Sequence, residues 1–447
     1  MRDLLGVALA IATVLLACGP AQVASSPSPS AIFAPSAAAP QASRSPSQTG
    51  SPRPLPPSTA VKMDKTLPAS GQWAIFVTRS YDQSPTDPSQ ALGPRRLPTH
   101  ESIAAVPISA RATTPRDTLS LASFTSAVQG KPGADNLLRE QFSPDGRRLV
   151  LSVVVGEGAN ARLGLVILDL VAGTAGSLTD DATYHDAQPA WGPSGEEIAF
   201  VRLSVAGAVG TGNDGGIWLV RSDGTGLRRV LDPATAPNST GLYSWNADGT
   251  ALGFSRGFEG SGYGLLDLLT GRTTSISGHS AKERGMADWR DGRPAFAGAF
   301  MEGQYGGKQY LVTADDQHGG GARDVVVGPA NDGNSFFFQA RWRPGSNDLL
   351  YLRTSADTTV QPVKMTSTLF VTDAGGRTPR AIKTVVYERM IAAWTPDGRD
   401  VVFLTGLGVA GAVRLIAPDG TNERVVQAFG GAPESYLEWI DLAVLSL

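Results

Sequence analysis

At 447 residues the chain is long enough for two or three average domains or for one large all-β ring. Its 38 basic and 41 acidic residues nearly cancel to a formal net charge of −3. The basic field that displaces counterions from phosphates is therefore missing, which argues against a nucleic-acid partner. With 52 glycines, 31 prolines and no long amphipathic repeat, the composition favours short strands joined by turns.

The first element is an N-terminal leader. Met1-Arg2-Asp3 is short and polar, and Leu4 to Leu16 is almost unbroken apolar sequence. That run is shorter than the roughly 20 residues a helix needs to cross a bilayer, and it matches a signal-peptide core. Leu15-Leu16-Ala17-Cys18 follows, and Cys18 is the sole cysteine. This tetrad resembles the lipobox of bacterial lipoproteins. The resemblance implies cleavage after residue 17, acylation of Cys18 and attachment of the exported chain to a bacterial membrane, facing the periplasm or the exterior. With that thiol acylated, no cysteine remains for a disulfide or for catalysis.

Residues 18–66 are dominated by Ser, Pro and Ala, as in Ser25-Ser26-Pro27-Ser28-Pro29 and Pro54-Leu55-Pro56-Pro57. Such sequence buries too little apolar surface to offset its ordering entropy, and its prolines favour extended geometry. A disordered, semi-rigid stalk is expected there, with the folded domain occupying 67–447.

One unit then recurs along the chain. It runs from Phe142-Ser143-Pro144-Asp145-Gly146 into Leu149-Val150-Leu151, and from Trp191-Gly192-Pro193-Ser194-Gly195 into Ile198-Ala199-Phe200. Further copies begin at Trp245, Trp289, Trp342 and Trp394, and a degenerate one lies at Trp439, so the period is about 50 residues. Pro presets φ, Asp bonds the backbone ahead and Gly accepts positive φ, so each copy opens with a tight turn. The apolar run behind it reads as a strand covered on both faces, with the aromatic filling the wedge between neighbouring blades. Third strands follow at Leu165–Leu170, Ile217–Val220 and Leu369–Thr372, and outer strands at Leu227–Leu231 and Glu423–Val426.

The repeat resembles that of the TolB-type (WD40-like, PD40) β-propeller family over about residues 136–447, with Phe142-Ser-Pro-Asp-Gly and Trp394-Thr-Pro-Asp-Gly as its closest matches. The resemblance implies an all-β propeller of four-stranded blades. Gly71–Val77 looks like a repeat lacking its leading strand, and Ser435–Trp439 looks like that strand. Pairing the two would close the ring and remove both open edges. Six complete repeats plus this composite make seven blades; eight would need a further strand from Asp441 to Leu447, and six would need one decorative repeat. The Pro-rich stretch from Tyr81 to His100 is expected as a loop of the first blade.

Chemistry is sparse. The sequence has no Gly-x-Ser-x-Gly elbow, and His100, His185, His279 and His318 share no metal-ligand spacing. Asn213-Asp214-Gly215-Gly216 and Asn331-Asp332-Gly333-Asn334 read as hairpin turns before they read as calcium loops. No catalytic residue, metal ligand or cofactor is assigned. The inner strand of each repeat should enter the channel about five residues before its aromatic, which gathers Asp186, Arg284, Phe337, Arg389 and Glu434 at one mouth, with His185 beside them. The expectation is a monomeric, non-enzymatic binding scaffold for an envelope protein, peptide or glycan. The alternative is an envelope hydrolase or lyase with residues from several blades at the same mouth.

Overall fold

The computed structural model describes residues 53–81, 100–108, 118–125, 138–205, 216–232, 239–256, 263–275, 287–288, 295–299, 309–315, 320–327, 335–357, 359–360, 364–386, 390–405, 410–430 and 436–447. Seven antiparallel sheets follow one another along the chain, six of four or five strands and one of three. Blade 1 holds β1 (Val61–Met63), β2 (Gln72–Tyr81), β3 (His100–Pro107) and β4 (Leu119–Phe124). Blade 2 holds β5 (Arg148–Val155), β6 (Arg162–Asp169) and β7 (Thr174–Ser177). Blade 3 is built from β8 (Tyr184–Trp191), β9 (Glu197–Ser204), β10 (Gly216–Arg221) and β11 (Arg228–Leu231). Blade 4 comprises β12 (Ser239–Trp245), β13 (Ala251–Arg256), β14 (Tyr263–Asp267) and β15 (Thr273–Ser275), and blade 5 comprises β16 (Ala287–Asp288), β17 (Ala295–Ala299), β18 (Gln309–Thr313) and β19 (Arg323–Val327). Blade 6 runs through β20 (Ser335–Trp342), β21 (Asp348–Asp357), β22 (Lys364–Asp373) and β23 (Arg380–Val386). Blade 7 runs through β24 (Met390–Trp394), β25 (Val401–Thr405), β26 (Ala410–Ile416) and β27 (Arg424–Gly430).

The last strand, β28 (Tyr436–Ser446), returns to blade 1 and pairs along all of β2, from Gln72↔Ser446 to Tyr81↔Tyr436. Blade 1 thus reads β28-β2-β3-β4-β1, and the expected closure of the ring is present. Residues 441–446 belong to that closing strand, so they do not begin an eighth blade. The loop expected from Tyr81 to His100 lies outside the described residues except at its two ends.

Two expectations need correction. Blade 2 has no inner strand among the described residues: a 3-10 turn at Leu138–Gln141 leads into Phe142, which makes one isolated bridge to Leu149. The folded part also begins earlier than residue 67, because Leu55 to Leu67 pack on blades 1 to 3 and Val61–Met63 pair with β4. The few apolar residues of that stretch, Leu55, Val61, Met63 and Leu67, all find apolar partners. Composition averaged over the whole Pro-rich segment concealed them.

The opening turn of each repeat is held by its own side chains. Arg148 N donates to Ser143 Oγ at 2.9 Å and Arg147 N to Asp145 Oδ1 at 3.1 Å. The same net recurs as Asp400 N to Thr395 Oγ1 and Arg399 N to Asp397 Oδ1. Successive turns also lean on each other. Gly195, at φ +75°, and Gly249, at φ +73°, lie against Pro144 and Pro193 of the preceding turns. A methyl group on Gly249 would stand 3.3 Å from Pro193 Cγ. These glycines are needed for the left-handed backbone and for the close approach together.

Among the described residues the repeat aromatics Phe142, Trp191, Trp245, Trp342 and Trp394 are buried, Phe142 and Trp342 almost wholly. Two of the indoles do more than pack. Trp245 Nε1 donates to Ala190 O at 3.0 Å and Trp394 Nε1 to Arg341 O at 3.1 Å, each reaching the inner strand of the blade before. A reciprocal bond comes from a glutamine three residues ahead of the aromatic. Gln188 and Gln339 stand at positive φ, 52° and 57°, where β8 and β20 bulge. Their Oε1 atoms accept from Leu242 N at 3.0 Å and Ala392 N at 2.9 Å of the next blade. The bulge turns each side chain out of its own sheet and across the wedge.

Candidate functional site

The two faces of the ring are built differently. First and second strands are joined by short turns, such as 192–196, 246–250 and 343–347, and third and fourth strands by turns such as 170–173 and 268–272. Second and third strands are joined by stretches that range from the short 406–409 to the long 82–99, 205–215 and 300–308. These leave from the other face, where β8 and β20 begin and where β9 and β21 end. His185, Asp186 and Phe337 lie toward that end of their strands. Arg284, Arg389, Glu434 and Cys18 lie outside the described residues.

Asp186 and His185 are not open rim groups. Asp186 is 1% exposed, and its carboxylate accepts both Arg202 Nε at 2.7 Å and Arg202 Nη2 at 2.8 Å. The two residues are direct cross-strand partners in β8 and β9. Arg202 is 3% exposed, and its guanidinium lies 5.0 Å from the Tyr184 ring, 5.1 Å from Trp218 and 5.4 Å from Phe200. Burial opposes its charge, but the hydrogen-bonded Asp186 carboxylate and the more distant Asp181 hold the guanidinium above its ordinary pKa. The bidentate fork and the aromatic walls suit arginine and would not suit lysine.

His185 is 4% exposed, and its Nδ1 accepts Leu163 N of blade 2 at 3.1 Å. Ser152 Oγ of the same blade donates to Asp186 O at 2.7 Å. The two residues nearest the expected mouth therefore fasten blade 3 to blade 2.

Beside this pair a groove of 420 Å³ opens between the blades, lined by Thr179, Asp180, Asp181, Arg202, Gly224 and Leu227. Asp180 pairs with Arg162, and Asp181 Oδ1 accepts both Thr183 N and Thr183 Oγ1. Those two bonds pull the Asp181 carboxyl below its ordinary value. Every carboxylate of the groove already has a partner, and among the described residues no three His, Cys, Asp or Glu side chains gather as metal ligands do.

Reading for rim charges missed a recurrence on the second strand. Arg202 falls two residues after Phe200, Arg256 two after Phe254, and Arg353 two after Tyr351. They lie opposite Asp186, Ser239 and Phe337 of the inner strands, Arg256 at the end of β13 and Arg202 and Arg353 two and four residues before the ends of β9 and β21. The signal was available as Phe-Val-Arg, Phe-Ser-Arg and Tyr-Leu-Arg at repeat spacing.

No family model matches the chain, and no curated protein does either. Solved structures with a similar strand arrangement include an oligogalacturonate lyase from Vibrio parahaemolyticus, at 11% identity and a TM-score of 0.45, covering 79% of this chain and 85% of that one. A prolyl endopeptidase gives 12% identity and a TM-score of 0.48 over 81% of this chain and 50% of its own length. A protein described as TolB from Agrobacterium tumefaciens gives 16% and 0.35 over 59% and 93%. Likeness at this level carries no argument about activity; the propeller rests on the seven sheets and their closure.

Proposed function

We propose that the protein is a cell-envelope scaffold, held to a membrane by acylated Cys18, that uses the long-loop face of its propeller to bind a protein, peptide or glycan. The observation that carries this reading is the asymmetry of the faces. One carries the short turns between first and second strands, which seat against one another, while the other carries the stretches 82–99, 205–215 and 300–308, the inner-strand entries at His185, Asp186 and Phe337, and Arg202, Arg256 and Arg353 near the ends of the second strands. Loops on a rigid scaffold are where recognition concentrates. The Asp186–Arg202 pair supports a rigid base for such a face, because its two-point bond fixes both buried side chains in one geometry.

The test is crosslinking in intact cells followed by pull-down, comparing wild type, Cys18→Ser and Arg284→Ala with Arg389→Ala. The expected result is one recurrent partner, lost in the double variant at unchanged thermal stability, and a Cys18→Ser chain released from the membrane fraction. Recovery of no partner, together with turnover of a polysaccharide or peptide panel by the purified chain, would replace the scaffold with the hydrolase or lyase reading.

A further inference from the structure

Residues 55–67 cross the circumference of three consecutive blades. Leu55 packs into the apolar layer between blades 2 and 3, against the cluster of Leu165, Leu178 and Val220. Pro57 bridges Gly176, with Ser177 N donating to Pro56 O at 2.8 Å and Ser58 N to Ala175 O at 3.0 Å, so the segment covers the outer edge of β7. Three residues on, β1 pairs with the outer edge of β4 through Val61↔Phe124, Lys62↔Ser123 and Met63↔Ala122. Leu67 N then donates to Leu170 O at 2.8 Å, and the Leu67 side chain enters the core that blades 1 and 2 share.

The surface beneath is shaped for this crossing. A methyl group on Gly176 would stand 2.7 Å from Leu55 Cβ, and one on Gly173 would stand 2.7 Å from Thr66 Cγ2. Gly176 has no positive φ to explain it, so the close approach of the segment is its physical reason. Blade 2 is also the three-stranded sheet, and its inner side contributes one isolated bridge where the other blades contribute a strand.

We propose that residues 55–67 are a clasp that closes the ring a second time, from outside, and that blade 2 is the sector through which the ring opens when the clasp is withdrawn. β28 completes blade 1 on the channel side; the clasp ties blades 1, 2 and 3 together on the rim. This assignment stands independently of the binding role and of the lipid anchor.

The experiment is hydrogen exchange by mass spectrometry on the full chain carrying Gly176→Leu, which displaces the clasp without altering it. Ser58→Pro serves as a milder second variant that removes the N–H to Ala175 O, together with the hydroxyl that accepts Ala60 N. The expected result is exchange at least tenfold faster in Val61–Met63, Leu119–Phe124 and Thr174–Ser177, while Leu369–Thr372 of blade 6 keeps its wild-type rate. Ser58→Pro should give the same pattern with a smaller amplitude. Faster exchange confined to residues 55–67 would overturn the proposal, because the blades would then not depend on the clasp. Equal acceleration in all blades would overturn it as well, since blade 2 would have no special part in opening.

Discussion

The junction between blades 3 and 4 and the junction between blades 2 and 3 solve one problem in different ways. At the first, the bond of Trp245 to Ala190 O and that of Gln188 to Leu242 N cross the wedge in opposite directions near the channel. The junction of blades 6 and 7 repeats this with Trp394 and Gln339. At the second, Trp191 Nε1 is buried and finds no acceptor among the described residues, and the Arg148 guanidinium lies 4.8 Å from its ring instead. The crossing bonds there are those of Leu163 N to His185 and of Ser152 on β5 to Asp186 O, farther along β8, and Leu55 adds apolar packing on the rim. An inner strand positions the carbonyl that the tryptophan needs. Where that strand is missing, the fastening moves elsewhere along the wedge and outward to the circumference.

The heaviest blow to the second junction is Arg202→Ala, which strands a buried Asp186 carboxylate. Breaking a buried pair by removing one partner costs about 3–5 kcal/mol. Denaturant unfolding should show that loss, and Asp186→Leu with Arg202→Met should recover most of it. At the first junction, Gln188→Ala leaves Leu242 N without its acceptor, and about 1–3 kcal/mol is expected from equilibrium unfolding. Gln188→Gly relaxes the positive φ and loses the same bond, so it should be the less damaging of the two. Gly249→Ala forces a left-handed alanine against Pro193, for about 1–2 kcal/mol. Gly195→Ala, whose added methyl would stand 3.5 Å from Pro144, should cost slightly less and rank the two turns by contact.

The smallest effect separates the junctions by acid. Bonds from Thr183 and Thr225 hold the Asp181 and Asp223 carboxyls below the ordinary 3.8. A depressed folded value means the stabilisation is complete above that pH and is lost as the pH falls through the folded values. Stability measured from pH 5 down to 2 should therefore decline below about 3.8, and Asp223→Asn should flatten that decline slightly.

Much of the ring was legible in the sequence because its rule is periodic. The aromatic-turn-strand unit marked six inner strands or their remnants, and the odd halves at Gly71 and Trp439 disclosed the closure. Blade 2 was misread because Phe142-Ser-Pro-Asp-Gly is nearly perfect after the aromatic, whereas the missing strand lies before it, where the repeat has no required residue. Gln188 and Gln339 were overlooked for a related reason: a bulge that reverses φ at one residue leaves no trace in a two-residue alternation. At the expected site, reading Asp186 as a rim charge ignored Arg202, sixteen residues on, which only the register of β8 against β9 places opposite it. The clasp was hidden by proline, whose abundance in residues 18–66 outweighed four well-spaced apolar side chains.

The interlocking of the short turns bears on how such a ring can change over time. Each turn takes its position from its neighbour, as Gly195 does from Pro144 and Gly249 from Pro193, and Gly146 rests on Leu445 and Leu447 at the chain's end. A residue inserted into one turn would disturb the seating of the next, so drift in length is suppressed on that side. The stretches between second and third strands already vary several-fold in length. Change in length is therefore tolerated between second and third strands and penalised between first and second, so descendants of this chain can vary the one while inheriting the other unaltered.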